Sequence, residues 1–145
     1  MNKPEPFEPF RIAFPVRVTD INYGGHLGND ALVALLHEAR ARWLASLGHS
    51  EADVGGGTGL IMTRLEVDFR AEVFAHQTLG FTLEAEEVGR AGFRQRIRIE
   101  REEDGVLVAE ASTRFAAFDY ARRRIARLPA EFAALLGGAG PPPAA

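Results

Sequence analysis

At 145 residues, 46% hydrophobic and 26% charged, the chain has the size and composition of one soluble globular domain, which excludes extensive disorder and an independent second core. A formal net charge of −3 with a pI near 5.8 argues against a protein built to coat nucleic acid or anionic lipid, and no apolar run approaches the roughly 18 residues that cross a bilayer. The absence of cysteine excludes disulfides, thiolate catalysis and cysteine-ligated zinc.

The N-terminal "MNKPEPFEPF" has neither a basic n-region nor an apolar h-region, so a cytoplasmic protein without membrane insertion is expected. Its prolines make the first nine residues an extended lead-in. "FRIAFPVRV" (10–18) partly alternates and reads as a first strand, with Pro15 suited to a sheet edge because it has no N–H to donate. After the polar stretch "TDINYGGHLGND" (19–30), Leu32, Leu35, Leu36, Ala39, Trp43, Leu44 and Leu47 recur at helical spacing, predicting one long helix over 29–47 that Gly48 stops. Asn29 or Asp30 has the chemistry of its N-cap.

The run "GGGTG" (55–59) lacks the lysine and following helix of a phosphate loop, and reads as a flexible connection suited to a lid. From Thr58 the apolar period becomes two. "LIMTRLEVDFR", "TLGFTLEAEEV", "GFRQRIRIERE" and "GVLVAEASTRFAAFD" are four long strands, joined by turns that include "VGRAG" and "EEDG". Across the "VGRAG" hairpin the apolar pattern predicts Phe81 opposite Ile99 and Leu83 opposite Ile97. Glu84 then faces Arg96 and Glu86 faces Arg94, because a one-residue slip would set leucine against arginine. The basic run "RQRIR" accordingly reads as a solvated, ion-paired sheet face. A short helix over 129–136 closes the chain, and "GGAGPPPAA" (137–145) reads as a flexible tail.

The expected architecture is α+β: a single domain over 1–145 with its core at about 10–120, in which a curved antiparallel five-stranded sheet wraps around one long central helix. Its open edges predict pairing with a second copy, as a homodimer or homotetramer.

Chemistry concentrates in "TDINYGGHLGND". Free N–H groups at a helix start suit a developing oxyanion, and Gly24, Gly25 and Gly28 allow close backbone approach. Asp20 is a candidate nucleophile or base, and Asn22 or His26 can orient water or a carbonyl. The competing reading is a polar turn plus a cap, which needs no histidine at position 26. Glu38, on the helix, is a candidate second carboxylate in a groove at a dimer interface, and a surface ion pair is its plainer account. No metal site is expected, since His37, His49 and His76 have no paired ligand spacing.

The element order, with "VTDINYGGHLGND", "LLHEAR" and "LASLG", resembles the hotdog-fold thioesterases of the 4-hydroxybenzoyl-CoA thioesterase and acyl-ACP thioesterase type. The likeness spans about residues 10–120, with specific motif content only in 19–40. It implies metal-free hydrolysis of an acyl-CoA or acyl-carrier thioester, with CoA as part of the substrate and no other cofactor. The oxyanion would meet the amides near Gly25 to Leu27, and Tyr23, Gly24 and Asn29 would complete the binding loop. Phe69, Phe74, Phe81 and Trp43 would set the depth of the acyl pocket. Relatives place the catalytic aspartate four residues before the histidine, where this chain has Asn22, and Asp20 stands six before it. Either Asp20 acts from a rearranged loop or Asn22 positions water without being a base. A hotdog hydratase or dehydratase acting on enoyl-CoA, and a non-catalytic acyl-CoA-binding module, are the alternatives.

Overall fold

A computed structural model describes residues 8–136. The lead-in over 1–7 and the tail over 137–145 lie outside the described residues.

Strand β1 (Phe10–Pro15) is antiparallel to β3 (Thr78–Glu86), which pairs with β4 (Gly92–Arg101), then β5 (Leu107–Asp119), then β2 (Thr58–Phe69). The order β1-β3-β4-β5-β2 is the five-stranded sheet expected. A sixth, two-residue strand, β6 (Arg124–Ile125), adds to β5 and was not foreseen. Pro15 sits at the end of an edge strand, as its missing donor requires. Beyond it the first strand stops short of the expected residue 18, because Val18–Asp20 tightens into a 3-10 turn.

The β3–β4 register is the predicted one: Phe81 meets Ile99, Leu83 meets Ile97, Glu84 meets Arg96 and Glu86 meets Arg94. Phe81, Leu83, Ile97 and Ile99 are all buried, so one face of the hairpin belongs to the core. On the other face Glu86 takes both arginines, pairing with Arg94 and standing 3.9 Å from Arg96. Arg98 meets Glu100 at 2.6 Å and Glu110 at 3.6 Å.

The central helix α1 (Asn29–Ser46) buries the seven-residue apolar stripe read from its spacing and also Arg40, apart from Leu47, which is the buried C-cap. Trp43 approaches Phe93 of β4, with ring centroids 6.1 Å apart, so the helix lies on the inward sheet face. Its end is a Schellman motif: Gly48, with φ 82°, donates to Ala45 O at 3.0 Å and His49 donates to Leu44 O at 2.9 Å. The start corrects the expected cap. The N-cap is Gly28, in extended conformation with no side-chain cap, and Asn29 and Asp30 already lie within the first turn. A Cβ at position 28 would fall 2.6 Å from Asp30 Oδ1, so a larger residue at this entry would oblige the Asp30 side chain to turn away.

The "GGGTG" stretch forms a hydrogen-bonded turn, in which Asp53 Oδ1 accepts Gly55 N–H at 2.8 Å and Gly57 N–H at 3.2 Å. The closing helix α2 (Ala130–Leu135) has Pro129 as N-cap instead of in the first turn. Its Phe132 packs under the C-terminal end of α1 against Trp43 and Phe93.

Candidate active site

Residues 17–28 make two linked turns that feed α1. In the first, Asp20 is buried, 8% exposed. Its Oδ2 accepts Arg17 N–H at 2.9 Å, and both of its oxygens lie 3.4 Å from the Arg17 guanidinium. This is half of a capping box around the 3-10 turn, with the carboxylate directed back along the chain.

In the second turn, Ile21 and Leu27 form an isolated antiparallel bridge. Asn22 N–H donates to His26 O at 2.9 Å, Gly25 N–H to Asn22 O at 3.0 Å, and Gly24 N–H to Asn22 Oδ1 at 2.9 Å. Gly25 adopts φ 83°, which an L side chain rarely does, so glycine is needed to close the turn. Tyr23, at the tip, is fully exposed.

His26 Nδ1 lies 3.2 Å from Leu27 O, a contact that favours the proton on Nδ1 and leaves Nε2 as the acceptor. A methyl group on Gly24 would stand 3.2 Å from Asn22 Oδ1 and 3.4 Å from His26 Nε2. Asn22 and His26 therefore converge over one glycine, and Asp20 is turned away from them.

The loop uses some of its backbone donors and leaves others free. Leu27 N–H is given to Val73 O at 2.7 Å, and Gly28 N–H to Asp20 O at 3.0 Å. With Gly25 N–H also bonded, His26 N–H is the one backbone donor of the Gly25–Leu27 segment without an acceptor among the described residues. The N–H groups of Asn29, Asp30 and Ala31 have no intrahelical acceptor, and Gly28 brings no capping side chain to them.

Beside this helix start is a cavity of about 260 Å³, walled by His26, Gly28, Asn29 and Leu32 on one side and by Phe69 and Val73 on the other. Asp20, Asn22 and Tyr23 do not line it. A second cleft of about 310 Å³ runs between α1 and β2, with Asp30, Leu36, His37, Arg40, Met62 and Leu65 on its walls. Arg40, 5% exposed, pairs there with Glu51 and stacks its guanidinium 5.1 Å from the Phe115 ring centroid. This ion pair, buried on the Arg40 side only, was missed in the sequence because Arg40 follows the helical apolar stripe and Glu51 lies beyond the Gly48 stop. Glu38 is on the opposite, exposed side of α1, paired with Arg42 at 3.1 Å. A further concavity, of about 550 Å³, is a charged groove on the outer sheet face around Arg94, Arg96 and Arg98 and shares no wall residue with the cavity at the helix start. Among the described residues no three His, Asp or Glu side chains are gathered to share a metal ion. No helix among them is long and apolar enough to cross a membrane.

The family model described as "Thioesterase-like superfamily" matches residues 16–136. Among solved structures, the chain is similar to a 1,4-dihydroxy-2-naphthoyl-CoA thioesterase from Synechocystis (23% identity, 83% of this chain and 90% of that one, TM-score 0.75). It is similar also to a hypothetical protein from Thermus thermophilus (25% identity, 87% and 95%, TM-score 0.77). A third likeness is to a hypothetical protein from Aquifex aeolicus (20% identity, 88% and 99%, TM-score 0.80). At these identities the likeness is one of fold. No curated protein sequence matches.

Proposed function

The chain belongs to the thioesterase-like superfamily and has its hotdog fold, and from that premise we propose that it hydrolyses an acyl-CoA or acyl-carrier thioester at the start of α1. The observation that carries the reading is the convergence of Asn22 Oδ1 and His26 Nε2 over Gly24, with His26 also walling the cavity at the helix start. Asn22 Oδ1 has one lone pair left after accepting Gly24 N–H, and His26 Nε2 is a free acceptor, so the two can hold one water between them. That water adds to the thioester carbon with loss of its proton to His26. The oxyanion formed faces the unpaired N–H groups of Asn29 to Ala31 and the positive end of an 18-residue helix. Collapse of the intermediate breaks the carbon–sulfur bond, and the leaving thiolate takes the proton back. Asp20 holds the loop by gripping Arg17.

Thiol release from a panel of short, long and aromatic acyl-CoAs tests the reading. Activity on at least one is expected, with His26→Gln lowering turnover by roughly 100-fold, the usual scale for a general base. No release from any member would sink it. Because Asn22 stands where relatives carry a carboxylate, a non-catalytic module that binds acyl-CoA is the second reading, selected by binding without thiol release. Self-association belongs to the same proposal. The 12-residue β2 is a sheet edge that carries the exposed Ile61 and Met62, and a second copy would cover it, as light scattering can measure.

A further inference from the structure

Gln95 of β4 and Thr113 of β5 are opposite each other in the ladder, and both are completely buried on the sheet face that packs beneath α1. Among the described residues, neither polar atom of the Gln95 amide nor the Thr113 hydroxyl has a hydrogen-bond partner. An unpartnered polar group in a protein interior costs roughly 1–3 kcal/mol, so a core with two adjacent ones invites an account.

Their place in the fold supplies it. Thr113 is opposite Leu65 of β2, and Leu65 is a wall of the cleft between α1 and β2. Paired residues in an antiparallel ladder point to the same side, so Leu65, Thr113 and Gln95 form one row leading inward from the cleft beneath the helix. Phe115, on the same face two residues along, carries the Arg40 guanidinium that walls the same cleft. The cleft and the cavity at the helix start adjoin along α1: Asn29 and Leu32 wall one, Asp30 and Leu36 the other. Leu65 is the member of the row that walls the cleft, and Thr113 and Gln95 lie behind it.

Resting on the thioesterase reading, we infer that Gln95 and Thr113 select the acyl group, anchoring a neutral hydroxyl at the inner end of the row that begins at the cleft wall. An amide and a hydroxyl together offer a donor and an acceptor, the complement of a group that both donates and accepts. A carboxylate in that row would be buried without its own counter-ion, since Arg40 is already paired with Glu51.

The test uses matched acyl groups: hexanoyl and octanoyl with their ω-hydroxy counterparts, and benzoyl with its 3- and 4-hydroxy derivatives. Hydrolysis is followed by thiol release. Binding is followed separately by calorimetry with the non-hydrolysable thioether analogues. At least one hydroxylated member is expected to gain roughly 10- to 100-fold over its parent, the scale of one or two buried hydrogen bonds. The gain, read as the ratio of each hydroxylated member to its own parent in the same variant, should vanish in Gln95→Leu and Thr113→Val and persist in Thr113→Ser. No gain for any hydroxylated member in the wild-type protein, or a gain that survives both apolar variants, overturns the inference. Absence of thiol release from every thioester would count against the hydrolase reading alone, because the thioether binding comparison still decides the anchor.

Discussion

Removal of the Asp20 carboxylate in two steps separates a structural role from a chemical one. Asp20→Ala deletes the acceptor of Arg17 N–H at 2.9 Å in a site only 8% exposed, a capping loss of roughly 1–2 kcal/mol. The 3.4 Å contacts to the Arg17 guanidinium add little, because that side chain is 68% exposed and such pairs contribute roughly 0–0.5 kcal/mol. The sum, about 1–2.5 kcal/mol, corresponds to a fall of about 3–10 °C in Tm for a domain of this size. Asp20→Asn keeps an oxygen where the backbone N–H points and should lose only about 0.5 kcal/mol. Thermal melting and thiol release on the same preparations give the answer. Turnover of Asp20→Asn within about fivefold of wild type is expected if the residue only holds the loop. A loss of roughly 100-fold in a variant that melts normally would refute this and make Asp20 the base. An Asp20→Ala protein melting within 1 °C of wild type would refute the capping account itself, on the same roughly 1–2 kcal/mol scale.

Asn22→Asp retains an acceptor for Gly24 N–H and adds a carboxylate beside His26. Turnover is expected to rise by roughly 10-fold in the thiol-release assay, and no rise would place position 22 outside the chemistry. Arg40→Met keeps much of the apolar stem but loses the Glu51 pair and the stack on Phe115. With Glu51 32% exposed and able to recover water, a loss of about 2–3 kcal/mol is expected in urea unfolding, and a loss under 0.5 kcal/mol would contradict it. Asp104 accepts from the Arg101 guanidinium at 2.8 and 3.1 Å and from Val106 N–H, which holds its carboxyl below the usual carboxylate range. Its contribution to stability is present above the unfolded pKa and is lost as pH falls through the lowered folded pKa. An NMR titration of Asp104 should show a midpoint below that of an ordinary aspartate, and Arg101→Gln should return it upward.

The long elements were legible because each repeats one signal many times. The β3–β4 register followed from four pairings, any slip of which would bury an arginine, and the α1 stripe from seven apolar positions. What escaped the sequence has one or two residues of signal. Strand β6 is two residues inside the basic run "ARRRIAR", with no alternation to mark it. The cap at Gly28 escaped because cap chemistry favours Asn29 and Asp30, whereas the chain enters the helix through a glycine whose N–H is tied to Asp20 O. The direction of the Asp20 carboxylate is set by a three-residue turn that no periodicity announces. Gln95 was within reach: the register that buries Phe81 and Ile97 also sets position 95 on the inward face, opposite Ala85.

Which polar groups of the entry loop remain free for a substrate is decided by counting the bonds the fold itself uses. Asp20 spends its carboxylate on Arg17 and its carbonyl on Gly28 N–H. Asn22 spends its N–H, its carbonyl and one lone pair of Oδ1 within the turn, and Gly24, Gly25 and Leu27 spend their N–H groups on carbonyl or amide oxygens nearby. The capacity left includes the second lone pair of Asn22 Oδ1, His26 Nε2, the His26 backbone N–H and the first-turn N–H groups of α1. They comprise an acceptor pair and a donor cluster, which are the two halves that addition of water to a carbonyl requires. The richness of "TDINYGGHLGND" in turn-forming residues and its fitness for chemistry are therefore one fact: the turn bonds consume much of the loop's hydrogen-bonding capacity and leave His26 and the start of α1 at the cavity, with Asn22 Oδ1 beside His26.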